Sequence, residues 1–260
     1  LSIANNAARV ISASGLLTDG FAFQTGSGGI SLATANAVAH EMQTRGVTGS
    51  FACGGITGFH VRMLEAGLFR TLMDVQCFDL EAVASYCRNP NHMAMSAAAY
   101  AGPHVGGAVV DRLSAVVLGA AEVDLGFNVN VTTNAEGTII GGSGGHADAA
   151  QGAALTLVTT RLNAAGYAKI VPEVTTLTTP GHTVDVIVTE AGVTVNPARP
   201  ELYERLSSAG LPLISIADLA VLSANAASRP NPPRSQGPVV ALSQYRDGTV
   251  TDVIRRSAPS

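Results

Sequence analysis

Three times in this chain a short apolar run ends in a glycine-rich loop that opens into a helical pattern. The loops are Gly26-Ser27-Gly28-Gly29, Gly54-Gly55-Ile56-Thr57-Gly58 and Gly141-Gly142-Ser143-Gly144-Gly145-His146-Ala147-Asp148. A strand that turns straight into a helix is the repeating unit of a parallel sheet, because parallel neighbours need a crossover rather than a hairpin. The expected fold class is therefore α/β, a largely parallel sheet with flanking helices. In open sheets of this kind ligands bind beyond the carboxyl ends of the strands, so the three loops should converge on one edge. Glycine there lets main-chain N–H groups approach a ligand closely. The helix behind adds its positive end, which suits an anion or a developing oxyanion.

Apolar spacing predicts helices over 4–13, 30–42, 61–66 and 79–86, the last with Asp79 as a candidate N-cap. Further helices are expected over 200–209, opened by Pro200, and over 216–226. Strands are expected over 21–23, 50–53, 72–75, 92–96, 113–118, 153–159, 169–171, 183–189 and 193–195. Thr138-Ile139-Ile140 reads as the strand entering the third loop. Asp247-Gly248, between two alternating runs, marks a C-terminal β-hairpin. The length fits one domain over 1–260.

Apolar residues make up 47% of the chain, yet none of the uninterrupted apolar runs reaches a membrane span. The first residues, LSIANNAARV, lack the basic flank and apolar block of a secretory signal. They also lack an initiator Met, so the chain is expected to be part of a longer protein. A net charge of −4, with 15 scattered basic residues, argues against a nucleic-acid partner. Cys53, Cys77 and Cys87 are an odd number at no metal-like spacing, so reduced thiols in the cytoplasm and no metal are expected. The first glycine loop departs from a dinucleotide fingerprint, since Ser31 stands where the third glycine belongs and no acidic residue follows near position 50, so a nicotinamide site is the minor reading.

The segments FQTGSGG (23–29), CGGITG (53–58), LMDVQCFD (72–79), NPNH (89–92), VVLGAAEVDLGFNVNVTT (116–133), GGSGGHADAAQGA (141–153), TTPGHTVDVIVTEAGVTVNP (178–197) and YRDGTVTDV (245–253) cover most of the chain in order. Together they resemble the C-terminal half of the citrate lyase α-subunit family. More distantly the chain is similar to glutamate-dependent CoA-transferases, which share GGxxD, an AKIV strand and a VDxIVTE strand. The resemblance implies a CoA-transferase-like fold and a transferase that exchanges acetate for citrate on an acyl-carrier-protein thioester. It implies as partners the acyl carrier protein subunit, a citryl-lyase β-subunit and an N-terminal half of similar fold, in a homo-oligomer. No cofactor is expected to be covalently bound; the CoA-type thioester of the carrier, or acetyl-CoA, is a substrate.

In the glutamate-dependent relatives a catalytic Glu falls in the loop corresponding to Gly54-Gly55-Ile56. Glycine in its place implies direct attack by a citrate carboxylate, through a mixed anhydride. On that reading Gly144 and Gly145 donate to the oxyanion, and Gly54 and Gly55 line the space opposite. Gly26, Ser27, Gly28 and Gly29 contact the carrier's prosthetic group, with Ser143 and His146 beside them. His146 has a purely structural hydrogen bond as its alternative, and Asp148 is read as a helix cap. Cys53 is read as a small buried thiol rather than a nucleophile. Glu122 and Asp124 are either structural anchors or site residues, while Asn128 and Asn130 are read as tying a turn. Three carboxylates call for cations, and Arg62, Arg112 and Arg161 are the candidates, unless the other half supplies them. Three rival readings are a citramalate CoA-transferase, a non-catalytic half that binds carrier or partner subunits and, more distantly, a nicotinamide-dependent dehydrogenase.

Overall fold

The structure, a computed structural model, describes residues 2–26, 28–104 and 106–256. Ser2–Ser14 (α1) buries Ala4, Ala7, Ala8 and Ile11, a stripe at helical spacing. Three strand–helix units follow: β1 (Ala22–Thr25) into α2 (Gly29–Arg45), β2 (Gly49–Ile56) into α3 (Gly58–Glu65), and β3 (Phe69–Cys77) into α4 (Leu80–Arg88). The short β4 (His92–Ala94) and α5 (Ala97–Ala101) lead to β5 (Ala115–Gly119), β6 (Glu122–Asp124) and β7 (Val129–Asn130). Next come α6 (His146–Gly152), β8 (Thr156–Thr159), β9 (Asn163–Ala164), β10 (Tyr167–Ala168) and β11 (Ile170–Val171). The chain closes with β12 (Val186–Thr189), β13 (Gly192–Val195), α7 (Pro200–Ser208), α8 (Ile216–Ala226), and the hairpin of β14 (Val239–Gln244) and β15 (Val250–Arg255).

Eight strands form one sheet in the order β13-β12-β8-β5-β1-β2-β3-β4, parallel throughout except for the edge strand β13. Its central strands are apolar on both faces because helices cover both. Ala115 and Val117 of β5 pack with α1 and α2, while Val116 and Leu118 pack with α6 and α8 on the other side. From β1 the chain winds outward to β4, then returns to place β5 on the opposite flank of β1. That reversal makes the gap between β1 and β5 the topological switch point, where α/β sheets open a crevice.

Several local expectations are corrected. Thr138-Ile139-Ile140 is not a sheet strand: Asn134 folds the segment back on itself, accepting from the Glu136 and Thr138 amides, and leaves one bridge, Thr133 to Ile139. Ile139 and Ile140 are half exposed. Residues 169–171 supply β11 to a small separate sheet, β11-β6-β7, rather than to the main one. The strand expected over 153–159 begins at Thr156 because α6 runs on to Gly152, and that over 183–189 begins at Val186 after a 3-10 turn, Gly181–Thr183. Asp79 does cap α4, accepting from the Ala82 amide at 2.8 Å.

Candidate active site

The carboxyl ends of β1, β5 and β8 frame a cavity of about 880 Å³ at the switch point. Gly28, Gly29 and Ser31 form one wall, Gly119 and Ala120 another, and Thr160, Arg161 and Lys169 the third. Gly28 is the N-cap of the 17-residue α2, and no side chain caps that terminus; its first turn contains no acidic residue. The terminal amides and the positive helix end therefore face the cavity with no acidic residue of their own first turn against them, although Glu190 lines the same space. Gly26 is held by a bond from its amide to the Val117 carbonyl at 3.2 Å. Ser27 lies outside the described residues.

A second cavity of about 670 Å³ adjoins the first and shares Gly119, Ala120, Ala164 and Lys169 with it. Gly142, Ser143 and His146 line it, so the third glycine loop and the first meet neighbouring spaces. Gly144 and Gly145 lie in the same turn; Gly144 has φ +52°, and Gly145 is the N-cap of α6. Asp148 is therefore not the cap. It sits in the first turn of α6 and faces Arg246, 3.6 Å away, from the turn of the C-terminal hairpin. Burial raises the Asp148 pKa and Arg246 opposes that.

The second glycine loop stands apart from these cavities. Gly54, with φ +100°, makes a bulge in the β2–β3 pairing, and a Cβ there would press on the Gln24 side chain at 3.1 Å. Gln24 in turn binds the Tyr100 hydroxyl at 2.7 Å, and the Tyr100 ring occupies the space a Cβ on Gly145 would need. Gly54 and Gly145 thus each lie against one member of the same buried Gln24–Tyr100 pair. Gly55 is covered by the ring of Phe78.

Both ring nitrogens of His146 are engaged, Nδ1 with Thr179 Oγ1 at 2.7 Å and Nε2 with the Gly119 carbonyl at 2.9 Å. A carbonyl only accepts, so the ring proton is on Nε2 and Thr179 donates to Nδ1. The structural bond is thus present. Burial lowers the His146 pKa from 6.5 to about 4, against the opposing Gly119 bond. The folded state keeps this ring neutral while the unfolded chain protonates it, so its contribution is complete above pH 6.5 and is lost as pH falls towards 4. In that window this one group adds a slope of up to ~1.4 kcal/mol per pH unit. Urea unfolding across the window should show a shallower fall in His146→Gln than in the parent; equal slopes would refute the assignment.

Of the three candidate arginines, Arg161 lines the cavity, while Arg62 pairs with Glu81 at 2.8 Å away from it on α3, and Arg112 lies exposed at the end of a 3-10 turn. Lys169, which the spacing offers only as a strand residue, stands in the wall common to both cavities and donates to the Ala120 carbonyl at 2.6 Å. Burial lowers its pKa, Glu122 opposes that and Arg161 adds to it. Glu122 and Asp124 are buried and saturated by their own fold: Glu122 accepts from Asn130 and from Thr175, Asp124 from Gly126 and Asn128. Asn128 and Asn130 tie those turns. Cys53 is fully buried, and burial pushes its thiol up to about 12, which leaves it inert.

The profile of the family "Citrate lyase, alpha subunit (CitF)" matches residues 1–257. The chain belongs to the citrate lyase alpha-subunit family. Citrate lyase alpha chains of Klebsiella pneumoniae and of Escherichia coli (strain K12) are each 46% identical to it over 256 residues, covering 98% of this chain and 50% of theirs. A solved alpha subunit of citrate lyase from Streptococcus mutans, in complex with citrate, superposes with a TM-score of 0.96 at 41% identity, over 100% of this chain and 51% of that one. A 4-hydroxybutyrate CoA-transferase from Porphyromonas gingivalis shares the fold, with a TM-score of 0.52 at 18% identity over 84% of this chain and 54% of its own. This citrate lyase family member spans about half the length of the curated relatives it matches. Among its described residues no helix is long and apolar enough to cross a membrane.

Proposed function

We propose that this chain is the C-terminal, CoA-transferase-like half of a citrate lyase alpha subunit, a single domain that works in the cytoplasm. It exchanges acetate for citrate on an acyl-carrier thioester. The observation that carries the reading is the switch-point cavity, where an uncapped helix terminus on one wall and Arg161 with Lys169 on another outweigh the one carboxylate in the lining, Glu190. Such a cavity suits a substrate with several carboxylates next to a phosphate-bearing arm. The N-terminal half, the acyl carrier protein and the citryl-lyase β-subunit are its partners.

In the first step a citrate carboxylate oxygen attacks the acetyl carbonyl and the carrier thiolate leaves, giving an acetyl–citryl anhydride. In the second the thiolate attacks the citryl carbonyl and acetate leaves. Each addition places a negative charge on oxygen, and the amides of Gly144 and Gly145 hold it. The 54–55 turn offers no carboxylate to form an enzyme thioester, so the incoming acid reacts directly.

The test is acetate release from acetyl-carrier by the chain joined to its N-terminal half, with citrate or citramalate as acceptor. Citrate is expected to be the faster, and no release with either acid would overturn the proposal. In the same assay Lys169→Met should raise the KM for citrate ~10-fold or more with a smaller change in kcat, since one charge-assisted contact is worth about 1.5–3 kcal/mol. An unchanged KM would remove Lys169 from the site.

A further inference from the structure

The sheet edge opposite β13 holds a cluster that the exchange reaction does not use. Asp74 and Cys77 lie near the end of β3, and His92 opens β4 beside it. Cys77 Sγ is 2.7 Å from Asp74 Oδ2, and His92 Nε2 is 3.1 Å from the same oxygen. The three potential ligand atoms all lie within 4.8 Å of one another. Asp74 and His92 are 4% and 3% exposed, while Cys77 is half-buried. The second oxygen, Asp74 Oδ1, is buried with no hydrogen-bond partner among the described residues. His92 pairs with the other oxygen, and the buried His60, whose own Nε2 also lacks a hydrogen-bond partner, interacts with Asp74 electrostatically without bonding Oδ1.

The geometry points to a zinc site built from Asp74, Cys77 and His92. Thiolate, imidazole and carboxylate are the ligand set that zinc takes, whereas calcium and magnesium prefer oxygen alone. The outer partner a zinc-bound histidine requires is in place: His92 Nδ1 is 3.1 Å from Ser85 Oγ. With Nδ1 donating to Ser85, Nε2 is left free to ligate. Binding releases the Cys77 thiol proton to solvent and moves the ring proton of a neutral His92 from Nε2 to Nδ1. Three protein ligands leave the fourth tetrahedral position of a zinc ion to water. The register pairs Asp74 with Gly54 and Cys77 with Ile56, so the metal braces the strand that carries the bulged 54–55 turn.

The experiment uses the 260-residue chain, stripped with chelator and titrated with Co²⁺ alone, then with Zn²⁺ as competitor. One Co²⁺ per chain is expected, with a thiolate-to-cobalt charge-transfer band that Zn²⁺ abolishes. Cys77→Ser should lose the band, and His92→Gln should weaken Co²⁺ binding more than ~10-fold. Cys53→Ser and Cys87→Ser should keep both. Serine at 77 can still donate to Asp74, so that variant should retain its fold by circular dichroism. If it does not, His92→Gln decides the matter. No band at saturating Co²⁺, or a band that survives Cys77→Ser, would overturn the site.

Discussion

Replacing Gly144 by valine is expected to reduce thioester exchange by ~100-fold or more, the loss that follows removal of one oxyanion donor. Gly144 has φ +52°, which an L-residue adopts at a cost of about 1–2 kcal/mol and a β-branched one least willingly. A valine therefore drives the turn to negative φ and swings the 144–145 amides away from their present direction. The fold should tolerate this, because a Cβ at position 144 meets nothing within 4 Å and the loop is exposed there. The loss should thus appear in kcat of acetate release while the denaturation midpoint moves little. Gly144→Asn is the companion variant, since asparagine accepts left-handed backbone, and it should keep most of the activity. Full activity in Gly144→Val would end the oxyanion assignment.

The largest loss of stability is expected at Gly181. There the 3-10 turn crosses the 126–128 turn so closely that a Cβ would sit 1.9 Å from the Gly126 carbonyl oxygen and 2.8 Å from the Phe127 carbonyl carbon. These are main-chain atoms with no rotamer to swing away. The crossing is fastened by Asn128, which accepts from the Gly181 amide at 2.9 Å, and by Asn196, which donates to the Gly181 carbonyl at 3.1 Å. Gly181→Ala should therefore cost about 3 kcal/mol or more, combining overpacking with disturbed buried hydrogen bonds. The strain should also reach the site, because Thr179, two residues upstream, holds His146. Urea denaturation measures the first effect. Gly141→Ala, which has open space around it, should stay within about 0.5 kcal/mol of the parent. Equal stability of the two variants would refute the packing argument.

Much of the architecture was legible because local signals agreed with tertiary demand. The helix expected over 216–226 has those bounds, Pro200 opens α7, and the apolar run around Val116 is a strand buried on both faces. Thr138-Ile139-Ile140 misled because β-branched residues favour extended backbone wherever they fall, whereas the Asn134 turn decides that this segment pairs with itself. The cluster of Asp74, Cys77 and His92 could not be read from spacing, since it depends on β4 lying beside β3. Lys169 was hidden for a related reason. Its reach to the Ala120 carbonyl follows from the pairing of Ile170 with Val123, a contact between strands remote in sequence. Arg161, by contrast, follows β8 directly, so its place at the carboxyl edge follows from the order of the elements.

The doubly tethered ring of His146 has a chemical consequence. An imidazole whose proton is pinned on one nitrogen by a carbonyl, and whose other lone pair is claimed by a hydroxyl, cannot relay protons unless one tether breaks first. The one histidine beside the third glycine loop therefore works as a strut joining β5 to the 178–180 segment. Proton transfer beside that loop therefore needs a group other than this ring.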